Sequence, residues 1–436
     1  MSALDHIGHS HDGQDANSRA VAENCGCEEF NALQSRLNRR TFIGGVLALG
    51  GGILLGEGTG IEYALADTAA SGDVIISLNM RGGMDGLLAV QPLSSARLMK
   101  LRPDLTLNDS ELLQLDGFFG LHPNLAGFKT LFDAKELSIV HASGIPFGTR
   151  SHFEDQHSLE MAAYESPGTV GGWQTRLLKN TGTSAVFEGV AVGSNMPTSL
   201  SGDAEAVAFD NLGYVKLKDF NMERGAQLEV LRSLHKDTGL LWNKTAQTSI
   251  EAALRLENVN QAAGVTYPTG ALGTRFQLLA QLLKSGIPVR SANIDFDGPL
   301  DVHTAAGNRT GTMADNFKRL ADTITAFKAD LGPLWQKVTV VTVTEFGRRL
   351  SQNAQLGLDH GWASAMFVMG GSGKGGKIVA KWPGLEDKQL SDGDLAVTTD
   401  YRDVLSDVLM NRGGVSSTQL KQIFPNYSPA GLGLFS

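Results

Sequence analysis

Val338-Thr-Val-Val-Thr-Val-Thr344 runs straight into Glu345-Phe-Gly-Arg348. Every residue from 338 to 344 is β-branched and none is charged. Such a run fits a strand covered on both faces, the setting of a parallel sheet. The stretch before it, Met313–Leu331, has the apolar spacing of an amphipathic helix. A helix feeding a buried strand that ends in a polar loop is the repeating unit of an α/β fold.

The unit recurs in both directions. Further strand candidates are Val74–Leu78, Leu137–Ala142, Phe187–Val192, Val289–Phe296, Ala365–Met369 and Lys377–Ala380. Helical candidates are Asn124–Ala134, Ser151–Ala163, Trp173–Lys179, Met222–Leu234, Leu240–Gln261, Arg275–Ser285 and Tyr401–Met410. The alternation predicts an α/β fold, a mostly parallel sheet sandwiched by helices. Residues 203–261 carry a less regular, helix-rich pattern and read as an insertion or cap.

With 436 residues, 42% of them hydrophobic, the chain can bury a large core. Its formal charge of -9 is spread along the sequence without a basic stripe, which argues against nucleic acid as a partner. Both cysteines, Cys25 and Cys27, lie near the N-terminus, so a domain starting at residue 67 contains none and suits an oxidising compartment.

The N-terminal segment reads as an export signal. Arg39-Arg40-Thr41-Phe42-Ile43 precedes a glycine-rich apolar run to Leu55 and then Ala64-Leu65-Ala66, the order of charged region, apolar region and small-residue cleavage site. The run from Ile43 to Leu55 is too short to cross a hydrocarbon core of ~30 Å as a helix, so no permanent membrane span is expected. The pattern resembles the twin-arginine signal. That likeness implies the twin-arginine translocase as a partner during export, a periplasmic or otherwise exported location, a leader over 1–66 cleaved after Ala66, and a working domain over 67–436.

Polar residues gather just after predicted strands, where ligands bind in open α/β sheets. The first strand ends in Asn79-Met-Arg-Gly-Gly-Met-Asp-Gly86, whose Asp85 puts a carboxylate at the sheet's edge. After the second strand, Ser151 opens a helix. Its hydroxyl is either a nucleophile assisted by helix amides or an N-cap in a capping box with Glu154. His152 and His157 are five apart, poor spacing for joint ligation from one helix face, and read as supporting or surface residues. Asp301-Val-His303 alternates so that Asp301 and His303 share one side of an extended segment. Glu345 and the Asp359-His360-Gly361 that follows add oxygen and nitrogen ligands. Arg348 suits either an oxyanion or a carboxylate partner. Asp301, Glu345 and Arg348 also suit a single buried ion-pair network.

Arg81-Gly-Gly-Met-Asp-Gly86, Gly117-Phe-Phe-Gly-Leu-His-Pro123, Thr149-Arg-Ser-His-Phe153, Asp301-Val-His303, Thr344-Glu-Phe-Gly-Arg348, Asp359-His-Gly361 and Thr399-Asp-Tyr-Arg-Asp403 resemble, in order, the motifs of domain of unknown function family 1501. That family is similar in fold to the alkaline phosphatase and sulfatase superfamily. The resemblance implies an alkaline phosphatase-like domain and divalent metal ions, with zinc, manganese or calcium as candidates. It implies Asp85 and Glu345 around one ion, Asp301, His303 and His360 around the other, and Ser151 as nucleophile; Arg348, from its own chemistry, is the second catalytic candidate. The expected function is exported, metal-dependent hydrolysis of a small anionic phosphate or sulfate ester. The chain departs from the superfamily where Glu345-Phe346 replaces an Asp-His pair and where Asp301-x-His303 is shorter than the usual spacing. The alternative is a catalytically inactive periplasmic binding or scaffold protein using the same crevice.

Overall fold

The computed structural model describes residues 73–182, 187–202, 204, 206–211, 224–237, 239–240, 242–243, 246–247, 250, 254 and 265–436. The segment expected as an export signal, the cleavage site expected after Ala66 and both cysteines lie outside the described residues, as does much of the expected insertion at 203–261.

Among the described residues nine strands form one sheet. They are β1 Val74–Asn79, β2 Leu137–Gly144, β3 Gly189–Val192, β4 Ala206–Phe209, β5 Ser291–Asp295, β6 Val338–Val343, β7 Ser364–Gly370, β8 Ile378–Val379 and β9 Thr399–Asp400. The order across the sheet is β8-β2-β7-β6-β1-β5-β3-β4, with β9 beside β2. Within this sheet every pairing among the described residues is parallel except those of β7, which runs antiparallel to β2 and β6. The mostly parallel α/β sheet read from the sequence is therefore present. Ala206–Phe209, inside the stretch expected as an insertion, supplies the edge strand β4. The strands expected from Phe187 and Val289 start later, at Gly189 and Ser291.

The longer helices among the described residues are α1 Ala126–Asp133, α2 His152–Met161, α3 Trp173–Thr181, α4 Arg224–Leu234, α5 Ala271–Lys284, α6 Thr312–Leu331, α7 Tyr401–Asn411 and α8 Ser417–Ile423. Strands β2, β6 and β7 are buried at every residue, as their apolar runs require. On one face Ile75, Val341, Val343, Met366 and Val368 pack with Leu177 of α3, Val404 and Val408 of α7, and Ile423 of α8. The intervening Phe367 faces the other way, its ring centroid 5.0 Å from that of Phe128 in α1. Phe327 of α6 meets Phe276 of α5 at 4.9 Å in the same manner. Burying each such side chain contributes about 1.5–3 kcal/mol, which is why both faces carry helices. No helix among the described residues is long and apolar enough to cross a membrane.

The reversal of β7 decides where the polar loops lie. Because β7 starts at the edge where its neighbour β6 ends, all of 344–363 stays at the carboxyl edge of the parallel strands. The loops after β1, β2 and β5 reach the same edge.

Candidate metal centre

The loop from β2 to α2 is held in a conformation that the chain would not adopt alone. Arg150 has φ 63°, a left-handed geometry that costs a non-glycine residue about 1–3 kcal/mol. The Asp155 carboxylate offsets this by accepting from Thr149 N and Arg150 N, each at 2.8 Å. The Arg150 guanidinium lies 3.9 Å over the Trp362 ring and 3.0 Å from Asp394. With the turn pinned, Ser151 takes the N-cap position and His152 begins α2.

The turn after β1 needs its glycines. Gly82 and Gly83 have φ 104° and 75°. A Cβ on Gly83 would stand 2.7 Å from the Phe346 ring, and one on Gly82 2.9 Å from the Asp301 amide nitrogen. That close approach brings the Gly82 N–H to Glu345 Oε1 at 2.7 Å.

At the centre, His152, Asp301 and His360 form a group that could hold a metal ion, their ligand atoms all within 4.8 Å of one another. Each imidazole is committed at its Nδ1. His152 Nδ1 donates to Glu345 Oε1 at 2.8 Å and His360 Nδ1 donates to the Arg150 carbonyl at 2.8 Å. His303 Nδ1 donates to Asp359 Oδ1 at 2.7 Å. A carboxylate or carbonyl oxygen can only accept, so in the neutral rings Nε2 carries the lone pair. Those Nε2 atoms face Asp301, from His152 at 3.4 Å, from His303 at 2.9 Å and from His360 at 3.1 Å. His152 Nε2 and His360 Nε2 are 3.1 Å apart. Lone pairs aimed at each other and at a carboxylate repel unless a proton or a metal cation sits between them. Histidines backed at the second ring nitrogen by an acceptor are the usual support of metal ligands. The donor set thus fits a divalent cation.

Charge placement agrees with this. Burial favours a neutral Glu345, yet the hydrogen bonds from His152, Gln156 and the Gly82 amide hold its carboxyl below the ordinary value. The hydrogen bond to Glu345 raises the His152 imidazole in turn. At Asp301 burial acts upward, but the Arg348 guanidinium and the His360 hydrogen bond bring its carboxyl down to about 2.

Of the residues singled out in the sequence, Asp301, His303, Glu345 and His360 come together here, with Glu345 reaching the focus through His152. His152, read as a supporting or surface residue, is instead central, and Phe346 packs on its ring at 4.8 Å. The only sequence signal for it was its place in the Thr149–Phe153 motif, since its spacing to His157 was uninformative. Asp85 does not join the cluster. It is fully buried and paired with Arg102 Nη1 at 2.7 Å, and Arg102 also donates to the carbonyls of Leu350 and Arg349. Arg348 is equally engaged: it donates to the carbonyls of Gly83, Leu358, Gly82 and Leu300 and to Asp301 Oδ1 at 2.8 Å. This geometry suits holding loops and a carboxylate in place rather than receiving an anion. Ser151 makes no side-chain capping bond, so the capping box with Glu154 is not formed. It stands in the chain between the Arg150 carbonyl and His152, both parts of the cluster.

The model of the family described as protein of unknown function (DUF1501) matches residues 145–413. No curated protein matches the chain. Similar solved structures include the PsFucS1 sulfatase from Pseudoalteromonas sp., at 11% identity and TM-score 0.34, covering 80% of this chain and 68% of that one. Another is the C-terminal periplasmic domain of EcEptC from Escherichia coli in complex with Zn, at 8% identity and TM-score 0.37, covering 83% and 88%. A third is the phosphonate monoester hydrolase of Agrobacterium radiobacter, at 12% identity and TM-score 0.32, covering 79% and 74%. At such scores these likenesses carry no argument about chemistry.

Proposed function

We propose that this chain, which belongs to the DUF1501 family, is an exported metal-dependent hydrolase of phosphate or sulfate esters. The observation that carries the reading is the convergence of the His152, His360 and Asp301 donor atoms, with each Nδ1 already committed to an acceptor. Two imidazoles and one carboxylate favour zinc or manganese over calcium, which prefers an all-oxygen shell. A divalent ion held there would supply Lewis-acid polarisation of an ester's non-bridging oxygen.

The chain's own residues supply the remainder. Ser151 Oγ makes no capping bond and stands at the N-terminus of the ten-residue helix α2, whose amides favour negative charge at that point. Its attack forms the oxygen bond to phosphorus or sulfur as the bond to the leaving oxygen breaks; the hydroxyl proton passes to solvent, and the departing group takes a proton from solvent. Water then cleaves the seryl ester and restores Ser151. Asp301 is kept ionised by Arg348, and His152 is kept oriented by Glu345.

Metal analysis of the purified protein, with turnover of p-nitrophenyl phosphate and p-nitrophenyl sulfate, tests the reading. Stoichiometric zinc or manganese and cleavage that is lost in Ser151→Ala and in His360→Ala support it. The engagement of Arg348 with main-chain carbonyls favours a second reading, a catalytically silent envelope protein that binds through the same crevice. Absence of metal together with absence of turnover of either ester would point there and end the hydrolase reading. For export through the twin-arginine pathway, replacing Arg39-Arg40 by Lys-Lys should leave precursor in the cytoplasm. Unchanged export would refute that part alone.

A further inference from the structure

A cavity of about 560 Å³ opens beside the metal cluster, on the far side of Gln156. Its size falls in the range of ~300–1,000 Å³ usual for small-molecule sites. Helix α2 divides the two regions: His152 belongs to the cluster, while Phe153, Gln156 and Glu160 line the cavity. Gln156 belongs to both. Its Nε2 donates to Glu345 Oε1 at 3.0 Å, and its Oε1 accepts from Arg81 Nη1 at 3.0 Å.

The lining carries charge, but the charge is balanced. Arg81 is paired with Glu160 at 2.6 Å and with Asp295 at 2.8 Å, and Arg275 donates to the Asp295 carbonyl. Among the described lining residues these two arginines face these two carboxylates, with His157 beside them, so their fixed charges balance and do not by themselves favour an ion. What it offers instead is a set of amides and hydroxyls. Ser194 and Asn195 stand exposed on one wall, and Asn293 lies at the base. Phe153, 89% exposed, adds an aromatic ring to the lining with a face free for stacking. Hydroxyl groups suit fixed amides and paired carboxylates as partners, and the C–H face of a saturated ring suits an aromatic face.

We propose that this cavity binds an uncharged, hydroxyl-rich ring, a glycosyl group, with its apolar face on Phe153 and its hydroxyls on Asn195 and Ser194. The identification of this ring as the part of the substrate that carries the reacting ester rests on the hydrolase reading. Binding of the ring does not, because no metal ligand touches it.

The experiment is calorimetric titration of the purified protein with D-glucose, D-galactose, N-acetylglucosamine, D-xylose, maltose and cellobiose, with zinc present and again with EDTA. At least one sugar should bind saturably and equally in both conditions. Phe153→Ala should weaken that binding about tenfold through lost stacking. Asn195→Ala should weaken it about threefold or more through a lost hydrogen bond. Both residues are exposed, so neither change threatens the fold. Binding of none of these sugars, binding indifferent to both substitutions, or competition by inorganic sulfate or phosphate would overturn the proposal. Sugar binding in a protein that takes up no metal would retain this proposal and remove the hydrolase reading.

Discussion

Glu345→Gln probes the support of the metal centre most directly. Glu345 Oε1 accepts from Gly82 N at 2.7 Å, His152 Nδ1 at 2.8 Å and Gln156 Nε2 at 3.0 Å. Its Oε2 lies 3.3 Å from Thr344 Oγ1, a hydroxyl able to accept from an amide nitrogen. A glutamine therefore fits the same space with its oxygen toward His152 and its nitrogen toward Thr344. What changes is charge: three bonds to a carboxylate become bonds to a neutral carbonyl. The shift from charge-assisted to neutral hydrogen bonding should lower stability by about 1 kcal/mol, leaving the fold intact. A ligand imidazole without its carboxylate partner is a weaker and less fixed donor, and such losses lower metal affinity about 10–100-fold. That corresponds to about 1.4–2.7 kcal/mol of binding. Competition for zinc against a chromophoric chelator at constant pH, beside a denaturant melt of the metal-free protein, measures both effects. An intact variant that holds zinc as tightly as the parent would refute the assignment of His152 as a ligand oriented by Glu345.

The other predictions separate structural from functional charges. Asp85→Asn breaks a pair whose side chains are 2% and 1% exposed, and should cost about 3–5 kcal/mol in a denaturant melt while leaving metal stoichiometry unchanged. Reduced stoichiometry at unchanged stability would restore Asp85 as a ligand. Arg348→Met strands the carbonyls of Gly82, Gly83, Leu300 and Leu358 together with Asp301, so a loss of about 3 kcal/mol or more is expected in the same melt. Arg402→Met should weaken the protein at neutral pH and progressively less in acid. Arg402 holds the Glu165 carboxyl below its ordinary value, so that stabilisation is present above the unfolded value of 4.5 and fades as pH falls through the folded one. Melts across pH 3 to 7 that show a deficit growing toward acid would contradict the assignment.

Much of this architecture is local in origin. The β-branched run at 338–344 and the short apolar runs at 74–78 and 137–142 read as strands because they are too short for buried helices and rich in β-branched residues that pack well in a sheet covered on both faces. The polar residues after them fall at one sheet edge as a matter of connectivity, so Asp301, His303, Glu345 and His360 were recognisable before any coordinates. The direction of β7 was not. A fully buried strand reads as the same apolar run whether it pairs parallel or antiparallel, and the choice rests on its neighbours. The short edge strand Ala206–Phe209 was also hidden, because a run of small and apolar residues next to a helix-rich stretch has no distinctive period.

The sequence by itself determined the α/β class, the positions at which loops leave the strands, and most of the donor atoms offered there. Tertiary structure alone decided which donors meet. It placed His152 against His360, 208 residues apart in the chain, and took Asp85 away into a pair with Arg102, 17 residues on. The physical reason is range. Strand formation follows from the alternation and burial of adjacent side chains, whereas a cation site depends on ångström-scale distances between loops whose paths are set by sheet order, by the reversal of one strand and by glycines that let backbones touch.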